Sequence, residues 1–313
     1  MIPILTLTLN PALDMASTVP MMVPDEKLRC TVPQFDPGGG GINVARAVHA
    51  LGGDALALVA LGGLTGDRLA DLLRADGIMF LGITGPGETR ESLTVTEEAT
   101  GRQYRFMLPG PVWSREDQER VFMLLRVTGK PGGIAVLSGS QPPGVPAEFP
   151  AQLAAAMTGM KVVLDTSGKP LIEAVTHPIP DLDLLRMDGE EAEAMAGRRL
   201  VSRSDTADYA ESLVRRGVAR QVIIARGADG SVLVEDGKRL FAKAPKVKVV
   251  SKVGAGDSFV GGFVLASARG QPVEEALALG VAAAAAAVMT EATDLCRTED
   301  VERLLAECPV SVV

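Results

Sequence analysis

The chain has 313 residues, 47% of them hydrophobic and 22% charged, with a formal net charge of −8 at pH 7. That composition suits one large packed α/β core with an appendage, and the acidic balance argues against a nucleic-acid surface, leaving a small molecule as the expected partner. Three widely spaced cysteines, Cys30, Cys296 and Cys308, make no C-x-x-C pair, and the two histidines, His49 and His177, have no metal-ligand spacing, so reduced thiols and no zinc are expected. The first ten residues lack a basic segment and a small-residue cleavage site, and the longest apolar run, 276–289, is alanine-rich and broken by Gly280. These features predict a cytoplasmic protein with a buried helix rather than a membrane span.

In chain order, residues 4–9 read as a strand that ends in Asn10-Pro11-Ala12-Leu13-Asp14. Asp14 is then expected at a strand's C-terminal end, where open α/β sheets bind ligands, although an Asx turn would also use an Asp there. Residues 15–36 alternate prolines with β-prone stretches. Next, Pro37 and four glycines, 38–41, run into an apolar pattern of Ile42, Val44, Ala45 and Val48, which predicts a helix over 41–51. Four successive glycines are costly in backbone entropy; they make either a linker or a place of close approach, and the regular helix behind them favours the second. Asn43, on the first turn, can both donate to and accept from a polyhydroxy ligand.

A strand over 55–61, a helix over 67–75 and a strand over 79–83 follow. Residues 91–107 read as two strands joined at Thr100-Gly101. A helix over 115–126 has a cap signal in Ser114 with Asp117 three residues on. Strands are predicted over 134–138, 161–165 and 182–187, with helices between, and then over 221–225, 230–235 and 239–242, the last two joined at Asp236-Gly237. Helices are expected to close the chain. This alternation predicts an α/β fold with a mostly parallel central sheet and helices on both faces. Residues 15–36 and 89–107 would form a small β lid on a core of 1–14, 37–88 and 108–313. The lid's apolar face needs cover, from its own core or from a second copy of the chain.

Before the closing helices lies Ser251-Lys252-Val253-Gly254-Ala255-Gly256-Asp257. The glycines allow the amides of Gly254, Ala255, Gly256 and Asp257 to converge at a helix N-terminus, a place for developing negative charge. Asp257 there is expected to stay ionised at neutral pH and to accept a hydroxyl proton; an ordinary helix start with an N-terminal Asp is the plain alternative. Lys27, Arg29, Arg90, Arg102 and Arg105 concentrate cations in two short segments, the natural place to look for a phosphate.

Asn10-Pro11-Ala12-x-Asp14, the Gly38 to Asn43 loop and Gly254-Ala255-Gly256-Asp257, in this order, resemble the PfkB (ribokinase-like) family of carbohydrate kinases over essentially the whole chain. The strings 27–31, 38–47, 104–106 and 138–144 are most similar to its bacterial 6-phosphofructokinase branch. The resemblance implies a ribokinase-like fold, ATP and Mg²⁺ as cofactors, and a homodimer through the lid. It implies Asp257 as base, with Asp14, Gly38, Gly39, Asn43 and Ser138 on the sugar, and Arg90, Arg105 and Lys27 on the phosphate it already bears. Ser138 with Gly139 would equally make a simple turn.

On the nucleotide side the resemblance implies Arg186, Asp188, Ala225, Gly227 and Gly230 near ATP, and Glu191 with Asp188 at the metal. Three positions depart from the family pattern. Asp188 stands for Asn in Asn-x-x-Glu, Ala225 for a Ser or Thr before Gly227, and Ala292-Thr293 for Gly-Thr. The expected activity is ATP-dependent phosphorylation of a ketohexose phosphate, fructose 6-phosphate to fructose 1,6-bisphosphate. Tagatose 6-phosphate or fructose 1-phosphate as acceptor, and a catalytically weak phosphosugar-binding sensor, are the alternatives.

Overall fold

The computed structural model describes residues 1–291 and 294–313; the expected Gly-Thr counterpart, Ala292-Thr293, lies outside the described residues. The chain runs through β1 (Ile4–Thr8), β2 (Ala12–Val19), β3 (Gln34–Gly38), α1 (Gly40–Ala50), β4 (Leu56–Leu61), α2 (Gly63–Ala75), β5 (Phe80–Thr84), β6 (Arg90–Glu97) and β7 (Gln103–Met107). It continues with α3 (Arg115–Thr128), β8 (Ile134–Ser138), α4 (Phe149–Ala156), β9 (Lys161–Asp165), α5 (Lys169–Thr176), β10 (Leu184–Met187), α6 (Gly189–Ala196), α7 (Arg203–Arg215) and β11 (Gln221–Ala225). A short 3₁₀ turn (Gly227–Asp229), β12 (Gly230–Glu235), β13 (Lys238–Lys243), α8 (Ala255–Ala268), α9 (Val273–Ala287), α10 (Thr298–Leu305) and β14 (Val310–Val312) complete it.

Ten strands form the large sheet in the order β14-β13-β12-β11-β10-β9-β8-β1-β4-β5, parallel from β11 to β5 and antiparallel at the β12, β13 and β14 end. Alternate residues of each strand feed opposite faces, as the two-residue period demands. Ile4, Val136, Val163 and Ile223 join the core under α1, α8, α9 and α10, whereas Leu5, Leu7, Leu164 and Ile224 join the one under α3, α4, α5 and α7. From β1 the chain first winds outward through β4 and β5, and later returns to β1's other side with β8. The crevice between the carboxyl ends of β1 and β8 is therefore the topological switch point, where a ligand is expected in an open α/β sheet.

The small sheet has the order β3-β2-β6-β7, with β2 and β6 parallel. Its strands reach further into the chain than the lid boundaries drawn from the sequence: β2 begins at Ala12 and β3 ends at Gly38. Asp14 therefore lies within the small sheet, paired with Asp36 and Ser92, and not at the end of a core strand. The Asn10-Pro11 break is the reason: Pro11 has no N–H to continue a ladder, so the chain leaves the large sheet there and re-enters pairing at once. The chain's end also differs from expectation. A strand, Val310-Ser311-Val312, pairs antiparallel with β13 after the last helix, as its β-branched residues favour. Ser114 and Asp117 form a reciprocal capping box at α3, as their spacing predicted.

Candidate active site

The four glycines meet protein on every side. A side chain on Gly38 would overlap the Asp14 carboxyl, and one on Gly40 would overlap Ser138. A Cβ on Gly39, whose φ is 126°, would come 2.6 Å from Thr8, and one on Gly41 2.6 Å from the Leu7 carbonyl. The glycines thus let α1 start directly against the ends of β1 and β8, at the switch point. Asn43 on α1 is carried to α8, where its Nδ2 donates to Asp257 Oδ2 at 2.9 Å. Residues 214 apart in sequence are joined by that bond.

Asp257 sits in the first turn of α8, whose N-terminal Gly254 adopts the left-handed φ of 71°. The structure corrects the expectation that this carboxylate stays fully ionised. Burial pushes its pKa up to about 7, and the negative charge of Asp165 adds to this; the Asn43 hydrogen bond and the Arg186 cation pull the other way, and Asp14 adds a smaller upward push. The helix terminus is too weak to offset desolvation here. A carboxylate tuned near neutrality is well matched to take a proton from a sugar hydroxyl.

Across the crevice, Asp14, Arg90 and Arg105 stand on one face of the small sheet, in register positions two residues apart. Ser92 Oγ donates to Asp14 Oδ1 at 2.8 Å. Burial raises the Asp14 pKa, while the Ser92 bond, Arg90 and Arg105 lower it and Asp36 raises it. Arg90 is anchored by Nε to the Asn10 carbonyl at 3.2 Å and by a terminal N–H to that of Leu108 at 3.3 Å. Arg105 is exposed on β7, and Lys27 and Arg29 are exposed in the segment between β2 and β3. Among the described residues, no hydrogen bond or ion pair joins Lys27 to Asp14 or Asp257.

On the other side, Ser138 Oγ donates to Asp165 Oδ2 at 3.2 Å, and Arg186 donates to Asp165 Oδ1 at 3.1 Å. Asp165 was missed in the sequence; a carboxylate closing a predicted buried strand on the ligand-binding side was the available signal. Arg186 remains a cation: burial disfavours its charge, but Asp165, Asp257 and Glu191 outweigh that. Its guanidinium lies 3.0 Å from where a Cβ on Gly256 would stand, and its buried Nε–H has no hydrogen-bond partner among the described residues.

Asp188 caps α6, accepting from the Glu191 N–H at 2.8 Å, while Glu191 accepts from the Asp188 N–H at 2.9 Å. Burial raises the Glu191 pKa despite that bond, and the Asp188 charge adds to the rise. Each carboxylate keeps an oxygen outside this box, which leaves the pair able to hold a divalent ion through water. Among the described residues no three His, Cys, Asp or Glu side chains form a direct metal-ligand set. Ala225 ends β11, and the 3₁₀ turn holding Gly227 is pinned by Arg226, which donates to the carbonyls of Leu200, Val201 and Ser202 at 2.9 to 3.1 Å. Gly230 starts β12 with φ 132°, packed on the Ala242 carbonyl.

The three cysteines are free, and burial pushes the thiols of Cys296 and Cys308 up to about 11. No described helix is long and apolar enough to cross a membrane.

Comparison with known proteins adds to this geometry. The model of the pfkB family carbohydrate kinases matches residues 8–300. The ATP-dependent 6-phosphofructokinase isozyme 2 of Escherichia coli (strain K12) is 39% identical over 308 residues, covering 98% of this chain and 99% of that protein. The 1-phosphofructokinase of Bacillus subtilis (strain 168) is 33% identical over 312 residues, covering 98% and 99%. The crystal structure of phosphofructokinase-2 from Escherichia coli in complex with fructose-6-phosphate superposes with a TM-score of 0.91 at 37% identity, covering 98% of this chain and 99% of that one.

Proposed function

Because the chain belongs to the pfkB family of carbohydrate kinases, we propose that it transfers a phosphoryl group from ATP to a hydroxyl of a ketohexose phosphate, converting fructose 6-phosphate to fructose 1,6-bisphosphate. The observation that carries this reading is the Asn43–Asp257 pair at the Gly254 turn, opposite a sheet face that bears Asp14, Arg90 and Arg105. A carboxylate beside converging amides suits proton removal and charge stabilisation, and paired arginines suit an acceptor that already carries a phosphate.

In this reading Asn43 occupies Asp257 Oδ2 and leaves Oδ1 to take the acceptor hydroxyl's proton. Asp14 orients the sugar's hydroxyls, and Ser138 with the Gly38-Gly39 backbone bounds the sugar from the core side. Arg90 and Arg105 hold the phosphate already present, with Lys27 from the lid. The amides of 254–257 stabilise charge on the transferring group, so most of the rate comes from positioning and electrostatics. Mg²⁺-ATP supplies the phosphoryl group and neutralises part of its charge. Glu191 and Asp188 would hold the ion, with Arg186 and the Ala225 to Gly230 turn on the nucleotide. The lid is proposed to close a homodimer.

The test is ADP release with fructose 6-phosphate, fructose 1-phosphate, tagatose 6-phosphate and fructose. The highest kcat/KM is expected with fructose 6-phosphate. Equal use of unphosphorylated fructose would overturn phosphate recognition. Tight binding of a sugar phosphate with no ADP released from millimolar ATP would instead support a sensor.

A further inference from the structure

Ser138, Asp165 and Arg186 occupy one row across three neighbouring parallel strands, since Ser138 of β8 pairs with Asp165 of β9 and Asp165 with Arg186 of β10. Side chains in one row of a ladder leave the same face, so three polar groups stand side by side at the sheet's carboxyl edge. The middle one spends both oxygens on its neighbours: Oδ2 accepts from Ser138 Oγ at 3.2 Å and Oδ1 from Arg186 at 3.1 Å. The ion pair is well shielded, its side chains 15% and 11% exposed. Ser138 abuts Gly40, the first residue of α1 and so the sugar side of the crevice. Arg186 abuts Gly256 in the turn that carries Asp257.

We propose that Asp165 is a positioning residue for phosphoryl transfer, holding the Arg186 guanidinium beside the Gly254–Asp257 turn with one oxygen and Ser138 on the acceptor side with the other. One carboxylate thereby sets the acceptor and donor halves of the crevice relative to each other. The fixed guanidinium, whose Nε–H finds no hydrogen-bond partner among the described residues, faces negative charge developing at the turn. Asp165 and Arg186 also bias Asp257 in opposite senses, alongside Asn43 from α1 and Asp14 from the small sheet. This inference rests on the phosphoryl-transfer reading for its consequence and on the row of contacts for its geometry.

Two measurements test it. The first needs no turnover: the Asp257 carboxyl is titrated by carbon-13 NMR in the substrate-free protein. Asp165→Asn should move its midpoint to lower pH and Arg186→Gln to higher pH, with both variants checked for native melting. An unmoved midpoint in a folded Asp165→Asn protein overturns the proposal even if the enzyme is an active kinase. The second is a cycle on kcat that leaves Asp165 in place. Ser138→Ala and Arg186→Lys should be non-additive, because both act through one carboxylate, and Asp165→Asn itself should lower kcat roughly 10- to 100-fold, the scale of small misplacements. Strict additivity would overturn the coupling. Absence of any kinase activity in the native protein would defeat the functional reading while leaving the titration result to judge the contact row.

Discussion

At the scale of single residues, Asp257 combines a catalytic demand with a cost in stability. As the proposed base it must be deprotonated, so kcat should fall as pH drops below about 7, the pKa to which burial raises it. Asp257→Asn should lower kcat by roughly 10²-fold or more while sugar-phosphate binding persists, since positioned proton transfer contributes about 10²–10⁴. Near-normal turnover in that variant would remove Asp257 from the mechanism. Its effect on folding has the opposite sign. The folded pKa lies above the unfolded value, so between about pH 4 and pH 7 the native state binds more protons and loses stability as pH rises. Asp257→Asn should therefore melt higher than the native protein at pH 8, and the difference should vanish below pH 4. Arg90→Ala is expected to raise KM for the sugar phosphate far more than for ATP, because a charge-assisted contact is worth roughly 1.5–3 kcal/mol. Steady-state kinetics with each substrate varied in turn would decide this.

At the scale of elements, α6 shows how a departure from the family pattern is accommodated. Asp188 caps the helix as an Asn would, and the two are about equally good at that position. Asp188→Asn should then leave melting unchanged but relax the dependence of activity on free Mg²⁺, since it removes a charge beside Glu191. A large drop in melting temperature would mean that the charge itself stabilises the cap. For β11, Ala225→Ser restores a hydroxyl worth roughly 0.5–1.5 kcal/mol, so KM for ATP should fall about 2- to 10-fold. The elements themselves were largely legible in the sequence. Short continuous apolar runs such as 134–138 and 161–165, which suit strands buried on both faces, and the Ser114 cap appear where their residues dictate. What was not legible was lateral placement. Nothing local in Asn10-Pro11-Ala12 says that the chain changes sheets, and Asp165 gains its importance only from Ser138 and Arg186, on either side of it in the ladder. The neutral-range pKa of Asp257 likewise arises from burial and from Asp165, neither visible in a Gly-x-Gly-Asp string.

For the whole molecule, Phe106 and Met107 at the end of the outer strand of the small sheet, and Leu108 just after it, are 46%, 62% and 51% exposed. An apolar stretch of that kind on a sheet of four strands is the motive for the proposed dimer. Light scattering at micromolar protein should give twice the chain mass, and Phe106→Asp should shift the mass toward the monomer and depress activity. A fully active monomer of the native protein would refute that assembly. The packing behind Asp257 has a different character. From Ser258 onward α8 is buried almost throughout, with Gly261 set against Val44 and Ala47 of α1 and Gly262 against Leu279 and Ala283 of α9. Glycines at both contacts bring the helices so close that neither can slide without collision. Because Asn43 and Asp257 ride on two of these interlocked helices, the proposed base is a stationary target, and the small sheet is the element expected to move toward it when substrate is enclosed. Amide protons should record this division: those in the middle of α8 should exchange with deuterium only through global unfolding, whereas those of β7 should exchange through local opening and slow markedly when sugar phosphate binds.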